Sequence, residues 1–488
     1  MKRFLSISIF ISALLCLSAP PYAPASTITY TYDDAGRLTG ADYGDKAILY
    51  TYDAAGNLLK REVTGTAGAG EAALYFPHVD TNSPWETEIA VINTSSGQSL
   101  SGQLNSYSNS GQLLQSMTIN LDPHARRQIT VANEFTNPTA IGYITLETDS
   151  TAARGYTKFY IEGTYRVAVP AVREINTSDI YVPHIDSSAD WWTGLSLVNT
   201  TPSGKTITIT FNTGHSREKT IPANGHEAFI IRGLFENQPQ PDIKSAVITN
   251  ASGIIGLELF CSTEGSGIYY LSGIQLKDDT TLAIYYPHID SQYLDPSSSW
   301  WTGIVAYNPW NPATTITITP YNNTGTALAT QGITIDPRGK YIGEARDLNL
   351  PSGTGWIKIE STNPITGFEL FGTINNNQLA GYTGVGISRK EGVFAKIEKQ
   401  GWTGIAFVNI EQSQATITLT AYDDSGSTVA SETISLASFA KRVDSAQGFF
   451  TQNIDTATYI AYSSDKDIVG FQLNGSSDNM LLDALPGM

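Results

Sequence analysis

Short runs of alternating apolar and polar residues, each closed within a few positions by Gly, Asn, Asp or Pro, run through this chain. A period of two is that of a strand with one face turned inward. From Tyr75 onward the runs belong to a longer unit. Tyr75-Phe-Pro-His78-Val-Asp80, Tyr181-Val-Pro-His184-Ile-Asp186 and Tyr285-Tyr-Pro-His288-Ile-Asp290 open three copies about a hundred residues apart, and Phe394-Ala-Lys396-Ile-Glu398 opens a diverged fourth. Further marks recur in register: Trp191-Trp192-Thr-Gly194, Trp300-Trp301-Thr-Gly303 and Gly401-Trp402-Thr-Gly404, each leading into a run that ends at Asn199, Asn308 or Asn409. The first copy keeps Trp85 and Asn93. Gly155 to Phe159, Gly256 to Phe260, Gly367 to Phe371 and Gly470 to Leu473 supply a further shared strand. Within one copy, such as 181–276, about eight runs are split by turns like Pro222-Ala-Asn-Gly225. This density predicts an all-β chain of four tandem antiparallel β-sandwich modules, with Greek-key or jelly-roll-like connectivity, over residues 74–174, 175–280, 281–388 and 389–488.

Ahead of these modules, Tyr30-Thr-Tyr32-Asp33-Asp34-Ala35-Gly36-Arg37-Leu38 and Tyr50-Thr-Tyr52-Asp53-Ala54-Ala55-Gly56-Asn57-Leu58 repeat at a spacing of twenty residues. Tyr and Thr alternate as a strand, Asp-x-x-Gly makes the turn, and Arg-Leu or Asn-Leu starts the return. The pattern resembles the Rhs or YD-repeat family over about residues 28–63. Long arrays of that family wind into a hollow β-shell, which two hairpins cannot close, so the toxin-enclosing role that the resemblance implies does not carry over. Residues 26–63 therefore read as YD hairpins, and the Gly- and Ala-rich stretch 64–73 as a linker.

The N-terminus narrows the compartment. Met1-Lys2-Arg3 followed by an apolar run from Leu5 to Ala19 reads as a secretory signal too short to span a membrane, with cleavage near Ala25, so residues 1–25 leave and the destination is the periplasm, the cell surface or the medium. A lipoprotein anchor at Cys16 is disfavoured because Leu15 stands where a small residue is needed. Cys261 is then the only cysteine left, flanked by apolar residues, and reads as a buried small hydrophobe. A formal charge of −17 repels phosphate backbones and anionic lipid, which disfavours nucleic acid as a partner, and no later segment reads as a membrane span.

Candidate chemistry is sparse. If the Pro-His-x-Asp motif lies on a strand, His184 and Asp186 share a face, as do His78 with Asp80 and His288 with Asp290, and a metal could be considered. Two ligands are too few, the remaining histidines His124, His215 and His226 do not recur, and the fourth copy substitutes Lys396 and Glu398. A structural pair of a cationic donor beside a carboxylate is the reading that survives all four copies. The Trp doublets invite a sugar-stacking platform. Trp192, Trp301 and Trp402 keep a fixed distance to the following strand and read as core, which leaves Trp191, Trp300 and Trp310 as carbohydrate candidates. Glu258 and Glu369 are strand carboxylates whose spacing in space the sequence hides, and no catalytic motif or calcium loop is present in a suitable context. No cofactor or metal is expected. The leading reading is a secreted or surface-displayed non-catalytic β protein acting by adhesion or structural contact with an extracellular protein or polysaccharide. The alternatives are polysaccharide binding through the exposed Trp residues, and a remnant of an Rhs-type effector.

Overall fold

In the computed structural model, residues 28–33, 35–42, 46–52, 56, 58–65, 72–262, 270–374 and 378–488 are described. The predicted signal 1–25 and the core of the predicted linker, 66–71, lie outside these residues. The chain forms two compact units, 1–70 and 71–488.

In the first unit, β1 (Thr29–Tyr32), β2 (Leu38–Asp42), β3 (Lys46–Tyr52) and β4 (Leu58–Gly65) pair in chain order as one antiparallel sheet. The motif residues explain the first hairpin. Asp33 accepts the main-chain N–H of Ala35 at 3.0 Å and of Arg37 at 2.9 Å, while its second oxygen takes Arg37 Nε at 2.7 Å. Gly36 has φ +77°, a left-handed conformation that glycine adopts without cost. The Arg37 guanidinium lies 4.9 Å from the centre of the Tyr52 ring, whose hydroxyl donates to Leu38 O at 2.9 Å. The ends of the predicted linker belong to strands, since β4 runs to Gly65 and the next strand begins at Ala72.

The second unit holds four sandwiches built on one plan. In module 1 the strands are β5 (Ala72–Phe76), β6 (Glu86–Asn93), β7 (Leu100–Tyr107), β8 (Leu113–Leu121), β9 (Arg126–Thr130), β10 (Tyr143–Thr148), β11 (Ala153–Ile161) and β12 (Tyr165–Pro170). One sheet runs β5-β10-β7-β8 and the other β12-β11-β6-β9. Module 2 repeats both orders with eight strands of its own. In modules 3 and 4 the counterparts of β10 and β11 fuse into single long strands, Thr354–Thr373 and Tyr459–Ser476, that serve both sheets in turn. The inward positions of each sandwich make a core of its own, represented by Ile89, Leu104 and Leu146 in module 1 and by their counterparts Leu195, Ile209 and Ile248 in module 2.

Further apolar clusters cross from module to module. Phe159 and Val167 pack with Leu257 and Leu271 between modules 1 and 2, and Phe260 and Ile274 pack with Val305 and Phe368 between 2 and 3. Phe371 and Tyr382 pack with Phe471 and Leu473 between 3 and 4, and Tyr459 and Leu485 pack with Ile92 and Tyr156 between 4 and 1. The final strands of the four modules, β12, Leu271–Leu276, Leu379–Tyr382 and Leu482–Pro486, contact one another in succession, the last against the first. Modules 1 to 4 thus close into a ring, an arrangement that the sequence pattern left open against a rod.

Candidate functional site

The Pro-His-x-Asp motif does not lie on a strand. In modules 1 to 3 it follows the end of the first strand as irregular chain, so its His and Asp are not fixed on one strand face, and they make different hydrogen-bond contacts. The main-chain N–H of Asp80, Asp186 and Asp290 donates to the hydroxyl of Thr87, Thr193 and Thr302 at 2.9–3.0 Å, and the same hydroxyl donates back to the Asp carbonyl at 2.7–2.9 Å. These are the Thr residues of the Trp-x-Thr mark, now explained as clamps on the motif. Each histidine instead leaves its own module. His78 Nδ1 stands 3.4 Å from His226 Nε2, His184 Nδ1 2.9 Å from Lys340 Nζ, and His288 Nδ1 2.8 Å from Lys441 Nζ. His226, Lys340 and Lys441 all open the fifth strand of the following module, as Arg126 does in module 1. The expected His–Asp pairing is therefore replaced by a contact from each histidine to a basic side chain across a junction, a lysine at two of them and a second, neutral imidazole at the first. His226, set aside because no histidine recurs there, occupies a position that the other modules fill with Lys or Arg.

Module 4 differs because its junction closes the ring. Lys396 pairs with Glu398 at 2.9 Å and with Asp483 at 3.0 Å, and Arg166 of module 1 enters the same cage, 2.7 Å from Asp483 and 3.0 Å from Glu398. Burial raises the Asp483 carboxyl, but Lys396 and Arg166 outweigh it and hold the group below the ordinary carboxylate range. Beside this cage, Arg126 donates to the Asp424 carboxylate at 3.0 Å and its main-chain N–H to Asp424 O at 3.0 Å.

Burial governs the other junctions. It lowers His184, His226 and His288 well below the usual imidazole value and His78 to about 4, so all four are neutral at pH 7. Lys340 and Lys441 fall to about 7 for the same reason. The carboxyl of Glu258 is wholly buried with no hydrogen-bond partner and is pushed up by desolvation, an effect that Lys340 partly offsets. Glu369 repeats this burial beside Lys441. These two carboxylates, considered as a glycoside-cleaving pair, sit at different junctions and are out of contact with solvent. Among the described residues no group of three His, Cys, Asp or Glu side chains is placed to hold a metal.

The tryptophans follow the same logic. Trp85 and Trp192 flank the cluster between modules 1 and 2, Trp191 and Trp301 the one between 2 and 3, and Trp300 meets Trp402 edge to face at 6.1 Å between 3 and 4. The first Trp of one doublet thus joins the second Trp of the next. At the closing junction both positions are vacated, by Gly401 and Glu86, where the ion-pair cage stands instead. Trp191 also stacks on Tyr270 at 5.8 Å. All six of these indoles are half-buried, and the three sugar candidates Trp191, Trp300 and Trp310 do not converge on one surface: Trp310, 38% exposed, bonds Pro364 O at 2.6 Å and lies beside Tyr181.

The junction between modules 1 and 2 has the most site-like geometry. A cavity of about 390 Å³ is walled by Trp85, Trp192, Phe159 and Phe229, with His78 and Asp80 on its lining. Ser196 is also on its lining: Ser196 Oγ lies 2.8 Å from His226 Nε2 and His226 Nδ1 lies 2.8 Å from Asn109 Oδ1, the distances of a nucleophile, a base and its orienter. Ser196, however, is 3% exposed in the middle of a strand paired on both sides, at Ala228 and Leu257, so its neighbouring N–H groups are engaged in the sheet rather than aimed at a reacting oxygen. The same groups bond module 1 to module 2, since Asn109 belongs to the first and Ser196 and His226 to the second, and Ser196 also donates to Pro77 O of the first.

No protein-family model matches the chain, and no curated protein matches it significantly. The likeness of residues 28–63 to YD repeats therefore rests on those residues alone. Among solved structures, a crystal structure of a tetra-tandem repeat in the extending region of a large adhesion protein is 13% identical, with 81% of this chain and 92% of that one covered and a TM-score of 0.11. A superposition that distant carries no argument about fold or function.

Proposed function

We propose that this chain is an exported, non-catalytic contact protein whose four-module ring is a stiff platform for adhesion or surface display. One observation supports the reading above others: the residues best equipped for chemistry, most of the histidines, the junction lysines, the buried glutamates and most of the tryptophans, are engaged in holding modules to one another. A scaffold that commits its functional groups to internal junctions presents its partner with outer loops and sheet edges, as contact proteins do. Beads coated with the full chain should be retained on bacterial or epithelial cell layers above beads coated with an unrelated β-sandwich protein. Retention equal to that control on every surface would contradict the reading. The absence among the described residues of any helix long and apolar enough to cross a membrane is compatible with display through another anchor.

A second reading is favoured by the aromatic cavity between modules 1 and 2. Its mixture of indole walls with a carboxylate and an imidazole suits the apolar face and hydroxyls of a sugar. On a glycan array, binding that disappears in Trp192→Ala but persists in Trp310→Ala would place sugar recognition there. Loss in Trp310→Ala alone would return it to the third module's loop.

A further inference from the structure

The links between modules converge on a second cavity, of about 250 Å³, whose lining gathers Arg154, Arg173, Lys277 and Arg389 from three modules. Four cations in one cavity are conspicuous in a chain of net charge −17. None of the four makes an ion pair within 4 Å of a carboxylate among the described residues. Arg154 Nη1 donates to Thr151 O at 3.0 Å and to Ala153 O at 2.9 Å, and Arg173 donates to the same Ala153 carbonyl, so two guanidinium groups are held side by side by one oxygen. Arg173 Nε is buried with no partner at all. Acids do line the cavity, but Asp278 is occupied, accepting from the main chain and hydroxyls of Thr177 and Ser178 at 2.7–3.3 Å, while Glu174 and Asp279 are exposed. Burial lowers Arg173 to about 10, with Arg154 adding to the effect and Glu174 partly offsetting it; burial also lowers Arg154, where Arg389 adds and Glu391 offsets, and Lys277, where Asp279 and Glu174 offset and Arg389 adds.

We infer that this cavity is a binding site for a small multivalent oxyanion, a phosphate group or the carboxylates of an acidic sugar or organic acid, held between the guanidinium groups of Arg154, Arg173 and Arg389. Planar guanidinium forks match both oxyanions in bidentate geometry, and an anion would supply the bonds that Arg173 lacks and neutralise the mutual repulsion. The volume admits one phosphate or one sugar acid. Because Arg154 and Arg173 come from module 1 and Arg389 from module 4, occupancy would also brace the closure of the ring.

The test is isothermal calorimetry with a parallel melting series on the full chain, at constant ionic strength. The probes are inorganic phosphate, citrate, galacturonate and, as controls, galactose and chloride. Saturable binding of phosphate, or of citrate and galacturonate, should appear with a rise in melting temperature, and the arm that responds identifies the phosphoryl or carboxylate source. Arg389→Gln, an exposed substitution that spares the fold, should weaken affinity about tenfold, and Arg173→Gln should weaken it further. Binding of neither oxyanion, equal responses to galactose or chloride, or undiminished affinity in folded Arg389→Gln would each overturn the assignment.

Discussion

Asn199 has no exposed surface, and its amide organises a whole corner: Nδ2 reaches the carbonyls of Ser203, Ile221 and Pro222 at 2.7–3.3 Å, while Oδ1 accepts the Thr201 N–H at 3.0 Å. Asn93, Asn308 and Asn409 repeat this with their own carbonyls. Asn199→Ala strands several buried acceptors, each costing about 1–3 kcal/mol, so urea unfolding of the full chain should show a loss of about 3 kcal/mol. A change below about 0.5 kcal/mol, the range of an ordinary surface substitution, would mean that water replaces the amide. In the sequence these asparagines are visible as the recurring ends of strands, and their register is legible. Their burial is not, because a polar residue at a strand end reads equally well as a turn. The His–Asp motif failed for a related reason: same-face geometry holds on a strand, and the strand ends just before the motif's proline.

At the scale of elements, alternation and turn spacing made the four sandwiches readable, whereas the fused strands of modules 3 and 4 were not, since a strand that passes from one sheet to the other leaves no break in its pattern. The Trp doublets show what pairing adds. Trp301 lies opposite Gly372 and Trp402 opposite Gly475, and a Cβ on either glycine would meet the indole at 2.2–2.3 Å. Gly372→Ala should therefore displace Trp301, cost about 1–3 kcal/mol and shift tryptophan emission to the red. An unshifted spectrum with unchanged stability would show that the ring can slide. Trp192 faces Cys261 in this register, so the isolated cysteine of the sequence is a packing residue that fits under an indole. At the closing junction, Arg166→Met leaves Asp483 and Glu398 with Lys396 as their remaining cation. Breaking a buried pair in this way costs about 3–5 kcal/mol, measurable as a lowered denaturation midpoint for the full chain. An unchanged midpoint would mean that the cage is solvated.

For the whole molecule, junctions of unlike chemistry specify one closed order. Three are sealed by tryptophan pairs and neutral histidine contacts, and the fourth by buried ion pairs, so module 1 fits module 4 and no other module in its place. The pattern predicts a pH dependence. Four histidines have folded values below the unfolded 6.5, so below that value the unfolded chain binds the extra protons and stability falls as pH drops from about 6.5 toward 4. A tenfold difference in one group's proton affinity between the folded and unfolded chain corresponds to about 1.4 kcal/mol, so the four histidines together outweigh Glu258 and Glu369, whose raised carboxyls take up protons in the folded chain and offset part of the decline. Melting temperatures of the full chain should fall steadily as the pH is lowered from neutral to about 4.5, and His184→Gln with His288→Gln should flatten the decline. A flat profile in the unmutated chain would mean that these histidines are hydrated.

Ring closure is the point on which the rest depends, because the junction contacts between modules 4 and 1 exist only if the chain returns on itself. Small-angle X-ray scattering of residues 71–488 measures it directly. A closed ring predicts a radius of gyration near the compact value for this length, about 22 Å, with a distance distribution that falls to zero without a tail. A radius of roughly twice that with a long tail would show four modules strung in a row and would contradict the closed arrangement.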